Sequence, residues 1–240
     1  MKEFVLALQF LTRLPLPAVK ADDATFARSM RWFPAAGLVV GLVLFVGLWL
    51  GNLLDPWTGA LFGLAAWVGI TGALHLDGLA DLADASGALH KGRERLREVL
   101  ADPHVGSFGV VAIALQLLAK LVLLHALLAS PGWWTILFVP AAARFGPLVW
   151  TRWLPPLHEG LASRFRSAVR PADLIVWLVL LAFAAALAAP ALLAAPLLIA
   201  AWGWRIQRLL GGISGDGHGA GIELVETGLL LALVIAPHLL

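Results

Sequence analysis

The chain has 240 residues, of which 60% are hydrophobic and 13% are charged, and its mean hydropathy is +0.88. A soluble domain carries about a quarter charged residues, so the composition excludes an ordinary soluble protein and indicates a polytopic membrane protein. The net charge is +2, but the positions of the charges along the chain are more informative than their sum. The absence of cysteine excludes disulfides, thiolate metal sites and cysteine nucleophiles.

The first segment, residues 1–35, is amphipathic and contains both apolar and charged side chains. Pro15 and Pro17 end any helix in this segment, because proline disrupts a helix interior. Arg13 lies just before them. The segment is either an interfacial anchor or a place where Arg13 faces a substrate, and the residues alone leave both interpretations open.

Long apolar runs follow, and a run of about 20 residues is long enough to cross the roughly 30 Å hydrocarbon core of a bilayer. The run at 173–204 is too long for one crossing, and Pro190 and Pro196 divide it near 189–196. We therefore predict an all-α fold: a polytopic integral membrane helix bundle of about seven transmembrane helices, in a single domain of residues 1–240. The other predicted spans are 36–54, 57–76, 105–130, 133–151 and 221–240.

The basic residues predict the orientation. All of the 17 Lys and Arg residues except Lys120 and Arg144 fall in polar segments outside the predicted spans. With seven spans these segments share one face of the membrane, and the positive-inside rule makes that face cytoplasmic. The predicted cytoplasmic segments are 1–35, 77–104, 152–172 and 205–220.

Three aspartates, Asp77, Asp81 and Asp84, follow the second predicted span at helical spacing and share about 60° of arc on one face. Like charges at this spacing repel, and they would also crowd the negative end of the helix dipole. A divalent cation removes both objections, and a ligand set of oxygens, to which Asp102 can add, indicates Mg²⁺. The alternative is a solvated polar face with counter-charges from residues 91–97.

A glycine-rich segment, residues 211–219, precedes the last predicted span. Bare amides before a helix can bind an anion, although glycines also form ordinary turns. Asp216, followed by Glu223 and Glu226, indicates a second patch that faces a metal ion. His218 can serve proton transfer, but the sequence identifies no partner for it.

Lys120 and Arg144 lie inside predicted spans, where each charge costs about 2.5–3.5 kcal/mol on insertion scales. One interpretation is that the two residues form a positively charged surface that binds a phosphorylated substrate. The other is that the two residues pair with acids such as Glu223 and Glu226, or that Arg144 extends its charge to the surface. His75 is either a metal ligand or a hydrogen-bonding group at a helix end.

At these positions the chain resembles the cobalamin synthase family, the adenosylcobinamide-GDP ribazoletransferases. The resemblance covers nearly the whole chain, and the string from His75 to Asp81 together with the late Gly215-Asp216 pair is specific. The matching pieces are Phe10-Leu11-Thr12-Arg13-Leu14-Pro15-Leu16-Pro17, Phe33-Pro34 with Gly37 and Gly41, His75-Leu76-Asp77-Gly78-Leu79-Ala80-Asp81 with Asp84, Asp102 with Gly106 and Gly109, Arg144, Gly160-Leu161, Gly211-Gly212, Gly215-Asp216, Gly219-Ala220, and Glu223 with Glu226.

The resemblance implies an enzyme of cobalamin (vitamin B12) biosynthesis in the bacterial inner membrane, with its active face in the cytoplasm. The implied reaction is a phosphotransfer in which a hydroxyl of α-ribazole, or of its 5′-phosphate, attacks the pyrophosphate of adenosylcobinamide-GDP and GMP leaves. Mg²⁺ held by carboxylates would neutralise the pyrophosphate. The expected partners are these two substrates and the lipid bilayer, with no nucleic acid, and a homo-oligomer remains open.

The candidate site residues fall into three groups, which share some members. The catalytic candidates are Asp81, Asp77, Asp84 and Asp102. The candidates for binding substrate are Arg13, Lys120, Arg144, Gly215 and His218. The candidates for binding Mg²⁺ are Asp77, Asp81, Asp84, Asp102, Asp216 and Glu223.

Two other functions use similar features. A membrane transferase of the prenyl or CDP-alcohol type also uses aspartates, Mg²⁺ and a diphosphate, but the spacing here is Asp-x3-Asp-x2-Asp and occurs once. A cation-coupled transporter also places charges in helices. Transporters place their ion sites near the bilayer midplane, whereas these carboxylates are expected at one face.

Overall fold

The computed structural model describes residues 1–89, 92–100, 102, 104–157 and 161–238. Twelve α-helices lie in this part of the chain: α1 (Lys2–Leu11), α2 (Asp23–Ser29), α3 (Phe33–Asn52), α4 (Pro56–Thr71), α5 (Leu74–Gly87), α6 (Arg93–Leu100), α7 (Ser107–Leu128), α8 (Val139–Trp153), α9 (Leu161–Ala168), α10 (Pro171–Ala188), α11 (Ala195–Leu210) and α12 (Gly215–Ile235). The predicted all-α class is confirmed for these residues. Two features of the sequence, Gly160 and the basic side chains at 91, 93, 95 and 97, lie outside what is described.

Several helices have the length and composition of membrane spans. Four pass this test, namely α2 continued by α3, α7, α10 and α12, while α4 and α5 pass it only as a pair. The α8 and α11 helices, with 15 and 16 residues, are shorter than the roughly 20 residues that a crossing needs. Among the described residues, length and composition therefore support four or five crossings and do not confirm seven.

The predicted division of the long apolar run is confirmed. The α10 helix ends at Ala188, a 3-10 segment covers Pro190–Ala194, and α11 begins at Ala195. The polar segment predicted at 205–220 is shorter than expected, because α11 continues to Leu210 and ends where Gly211 adopts a left-handed φ of 82°.

The second predicted span is corrected at its C-terminal end. It was expected to run through residue 76 toward the aspartates, but α4 ends at Thr71. Gly72 and Ala73 both have a φ of 59°, a left-handed conformation that terminates a helix. The α5 helix then runs at 86° to α4, so the aspartates lie beyond the bend rather than at the end of a span.

The α5 helix packs closely on the N-terminal part of α12. A Cβ added to Gly78 would lie 2.8 Å from the Cα of Asp216, and one added to Gly219 would lie 3.3 Å from the Cα of His75. Small residues allow such close approach of two backbones. The contact therefore brings the aspartate-bearing face of α5 next to the glycine-rich start of α12.

A buried cluster of four charges joins α7 and α8 to α12. Lys120 Nζ lies 2.7 Å from Glu223 Oε2 and 2.6 Å from Glu226 Oε2. Arg144 Nη1 donates to Glu226 Oε1 at 2.7 Å. All four side chains are buried, and the two positive charges balance the two negative ones. The structure thus supports the ion-pair interpretation that the sequence left open.

We expect Arg144→Met to lower the free energy of unfolding by about 3–5 kcal/mol, because removal of one partner leaves a buried charge that is incompletely compensated. Adding Glu226→Gln should recover part of the loss, since it removes the excess negative charge. Thermal unfolding in detergent measures both effects, with the exposed Arg152→Met as the matched control. A double variant no more stable than Arg144→Met would contradict the pairing.

Candidate active site

A cavity of about 390 Å³ opens where α5 meets α12. Two carboxylates and three other polar side chains contribute to its lining. Most of the remaining lining is apolar and includes three phenylalanines. The polar lining residues are His75, Asp77, Ser214, Asp216 and His218, and the apolar ones include Phe10, Leu11, Met30, Phe33, Leu74, Pro147 and Phe165.

The carboxylates at the cavity rim crowd one another. Asp77 and Asp216 both line the cavity. Asp81 lies one helical turn after Asp77 on α5. Its side chain is partly buried, and the negative charges of Asp77, Asp216 and Asp84 lie nearby. The rim therefore concentrates negative charge that a bound cation would stabilise.

Asp84 has a different environment from the other two aspartates of α5. Its Oδ2 accepts a hydrogen bond from the amide of Gly106 at 2.7 Å, and its Oδ1 accepts one from Gly109 at 3.0 Å. These amides belong to the start of α7, where helix geometry leaves N–H groups without intrahelical partners and the dipole favours a negative charge. Asp84 therefore fixes α5 to the N-terminus of α7.

Asp102 is not among the residues that line the cavity. Its Oδ1 accepts a hydrogen bond from the backbone amide of His104 at 3.0 Å and lies 2.7 Å from Nδ1 of the same residue. About half of its side-chain surface is exposed. Asp102 therefore differs from Asp77 and Asp216, which line the cavity.

Of the predicted substrate-binding residues, Gly215 and His218 line the cavity. Arg13 lies at the bend before α5, where its side chain packs against Gly72 and its amide donates to a backbone carbonyl. Lys120 and Arg144 instead belong to the buried charge cluster, although Arg144 Nη2 lies 3.4 Å from Nδ1 of a lining residue, His75.

Glu223, a predicted metal ligand, lies in the buried charge cluster. Its Oε2 contacts Lys120 Nζ at 2.7 Å and accepts a hydrogen bond from Gln116 Nε2 at 2.9 Å. The side chain is buried inside the bundle and does not line the cavity. Oε2 of Glu223 is thus engaged by an ammonium and an amide.

Mg²⁺ is the cofactor that the sequence predicts. Among the described residues, no group of three His, Asp or Glu side chains is arranged to hold a metal ion alone. Mg²⁺ does not require such a group, since it commonly uses one or two carboxylates with waters and substrate phosphates. Asp77, Asp81 and Asp216 supply hard oxygen donors of that kind, and their crowding fits a cation that arrives with a phosphorylated substrate.

Sequence analysis did not identify the three phenylalanines that contribute to the cavity lining, Phe10, Phe33 and Phe165. Phe10 and Phe33 stack with ring centroids 5.8 Å apart, and Phe33 packs edge-on against Phe165 at 6.2 Å. These rings come from α1, α3 and α9, which lie far apart in the chain. No local pattern joins them, so only the folded structure shows that they form one surface.

We expect Asp84→Ala to lower the free energy of unfolding by about 1–3 kcal/mol, because two amides at the start of α7 lose a charged acceptor. Asp77→Ala, at an exposed position on the same helix, should change it by less than about 0.5 kcal/mol. Thermal unfolding in metal-free detergent solution compares the two variants. Equal losses would contradict the different roles that the structure gives them.

The chain was compared with known proteins. The sequence profile of the family described as cobalamin-5-phosphate synthase matches residues 3–234. The adenosylcobinamide-GDP ribazoletransferase of Novosphingobium aromaticivorans is 65% identical over 98% of this chain and 97% of its own. The enzymes of the same name from Laribacter hongkongensis and Thiobacillus denitrificans are 53% and 48% identical, over 100% and 96% of this chain and 99% and 94% of their own.

No solved structure matches the chain. The sequence comparisons nevertheless extend over almost its full length, and the profile includes both the aspartates of α5 and the start of α12. These findings confirm the resemblance stated from the motifs. The chain belongs to the cobalamin-5-phosphate synthase family.

Proposed function

We propose that the protein joins adenosylcobinamide-GDP to α-ribazole, or to α-ribazole 5′-phosphate, with release of GMP, and that Mg²⁺ bound at the cavity rim assists the transfer. The names of the relatives support the reaction. The main support for locating the reaction at this cavity is that Asp77 on α5 and Asp216 on α12 both line it. Asp81 lies close to these two carboxylates.

In this reaction a ribose hydroxyl of α-ribazole attacks the phosphorus attached to cobinamide, and the bond from that phosphorus to the GMP oxygen breaks. Mg²⁺, when bound, neutralises charge on the pyrophosphate and on the departing GMP. Asp77, Asp81 and Asp216 are the residues that would hold it. A rim carboxylate that is not engaged with the metal orients the attacking hydroxyl and accepts its proton.

The start of α12 adds a second favourable feature for a phosphate. Ser214 caps this helix by accepting a hydrogen bond from the amide of Gly217 at 3.0 Å. Ser214 and Gly215 line the same cavity as the aspartates. The positive end of the helix dipole therefore lies at the cavity, where it favours an anionic group.

For the membrane arrangement we propose seven crossings of the bacterial inner membrane, with the active site on the cytoplasmic face. The short helices α8 and α11 gain length from the 3-10 segments before them. Six such residues precede α8 and five precede α11, so each combined stretch reaches about 34 Å if its two parts are collinear. Seven crossings also keep the basic segments on one side, as the positive-inside rule requires.

Cysteine labelling tests this arrangement, and the chain contributes no cysteine of its own. A cysteine at the exposed position Leu54, between α3 and α4, should react only from outside the cell. Cysteines at Arg166 and Arg208 should react only from the cytoplasmic side. Reaction of position 208 from outside would rule out seven crossings.

We expect Asp81→Asn to lower the rate of GMP release at least about a hundredfold, because stabilisation of the transferred group by a metal ion is worth several kcal/mol. Mg²⁺ should raise the melting temperature of the parent more than that of the variant. The assay uses detergent-purified protein with both substrates and Mg²⁺.

The matched control is Asp55→Asn, which changes the same chemical group at the far end of α4. Asp55 caps that helix, and asparagine caps equally well, so activity should remain at the parent level. If Asp77→Asn, Asp81→Asn and Asp216→Asn all kept near-parent, Mg²⁺-dependent activity, the carboxylate site would be wrong.

A further inference from the structure

The start of α12 is rich in glycine, which occupies four of its first seven positions, 215, 217, 219 and 221. Glycine is a poor helix former, because its backbone has the most conformational freedom to lose. Asp216, which lines the cavity, lies within this segment. Helix propensity therefore gives the first turn and its carboxylate little support, and their position depends on contacts with other helices.

The same glycines let two neighbouring helices approach α12 on opposite sides. On one side, a Cβ added to Gly219 would lie 3.3 Å from the Cα of His75 on α5. On the other side, a Cβ added to Gly221 would lie 2.4 Å from Nε1 of Trp202 on α11. Residues 219 and 221 are about 200° apart around a helix. The start of α12 is thus packed between α5 and α11.

The contact with α11 includes a hydrogen bond to the backbone of this glycine-rich segment. The indole Nε1 of Trp202 donates to the carbonyl of Gly217 at 2.9 Å, and the side chain is buried. In helix geometry the N–H four residues on donates to the same oxygen, and a carbonyl oxygen can accept twice. The indole reaches this carbonyl because position 221 has no side chain that would occupy the space beside Nε1.

The residue that follows Asp216 is therefore held through both of its backbone polar groups. The N–H of Gly217 donates to Ser214 Oγ at 3.0 Å, and its carbonyl accepts from Trp202. Ser214 is the N-cap of the same helix and moves with it, whereas Trp202 belongs to a different helix. The indole hydrogen bond thus ties the turn that carries Asp216 to α11.

From these contacts we propose that Trp202 is a positioning residue for the transfer reaction, and that its hydrogen bond to Gly217 holds Asp216 in register with Asp77 and Asp81 on α5. Trp202 is not among the residues that line the cavity, so it acts through Asp216 rather than on the reacting groups. This inference rests on the proposed function, because it assigns a role in that reaction to a residue outside the cavity.

The proposed role has a physical basis in the geometry that the rim requires. Mg²⁺ demands nearly ideal octahedral geometry with short bonds to oxygen, so carboxylates from two helices can share it only at a defined separation. A shift of the first turn of α12 would change the separation of Asp216 from the aspartates of α5. A misplacement of about 1 Å at a reaction centre can cost roughly a hundredfold in rate.

The first experiment compares Trp202→Phe with Trp177→Phe in detergent-purified protein. The indole of Trp177 on α10 donates to the carbonyl of Arg31 at 2.7 Å, a bond of the same kind that does not involve α12. Each variant keeps an aromatic ring and should lower the melting temperature without metal by about 1–6 °C, the effect of one net hydrogen bond. Only Trp202→Phe should also lower kcat for GMP release, by about tenfold or more, because only this variant loosens a rim carboxylate.

The second experiment does not require turnover. Mg²⁺ should raise the melting temperature of Trp202→Phe less than that of the parent or of Trp177→Phe, because a poorly positioned Asp216 weakens binding of the ion. When Asp216→Asn is already present, adding Trp202→Phe should cause no further loss of this Mg²⁺ response, since the group through which Trp202 acts has been removed. A purely structural role for Trp202 would give the same loss with and without Asp216→Asn.

Two results would overturn the inference: GMP release by Trp202→Phe at the rate of Trp177→Phe, or an equal loss of the Mg²⁺ response with and without Asp216→Asn. If the parent releases no GMP with both substrates and Mg²⁺, the proposed function fails, and the Mg²⁺ response of the variants still decides whether Trp202 positions Asp216. If the parent releases GMP and Trp202→Phe does so equally well, the inference fails and the function stands.

Discussion

The close approach of α5 and α12 is the contact on which the site depends. At Gly78 the two helices meet backbone to backbone, and a side chain there would separate them. The contact places Asp216 near Asp81, and the negative charges of these two side chains oppose each other. Close packing of small residues therefore contributes to holding these negative charges near one another.

The buried charge cluster supports the same helix from the other side. Glu223 and Glu226 lie on α12 two turns and more beyond the rim and are bound by Lys120 and Arg144. Because buried ion pairs have strict geometric requirements, they fix the rotation of α12 relative to α7 and α8. His75 contacts Arg144 and is also part of the cavity lining, so the cluster also orients a side chain at the cavity.

Features of the fold that depend on local composition could be predicted from the sequence. Hydropathy gave the all-helical class, and two prolines gave the break between α10 and α11. The bend before α5 could not be predicted, because an alanine with a positive φ follows the glycine and alanine does not signal such a conformation. The number of membrane crossings and the Mg²⁺ ion stay predictions. The family match excludes the alternative functions, namely a prenyl-type transferase, a CDP-alcohol-type transferase and a transporter.

The site was only partly predictable, for a related reason. The shared face of Asp77 and Asp81 follows from helical spacing and needs no tertiary information. The separate role of Asp84 depends on amides 22 and 25 residues away, and the ion pair of Glu223 depends on a lysine in another helix. Residues of the same type therefore acquired different roles through partners that no local pattern identifies.

The charge cluster also has a consequence for how the protein enters the membrane. Lys120 and Arg144 precede Glu226 by 106 and 82 residues, so at about 5–20 residues per second they leave the ribosome roughly 4–20 s before their partner. Until α12 arrives, neither cation has its carboxylate partner, and an unpaired cation costs about 2.5–3.5 kcal/mol in a bilayer core. The arrival of α12 therefore stabilises the positions of α7 and α8 through these ion pairs.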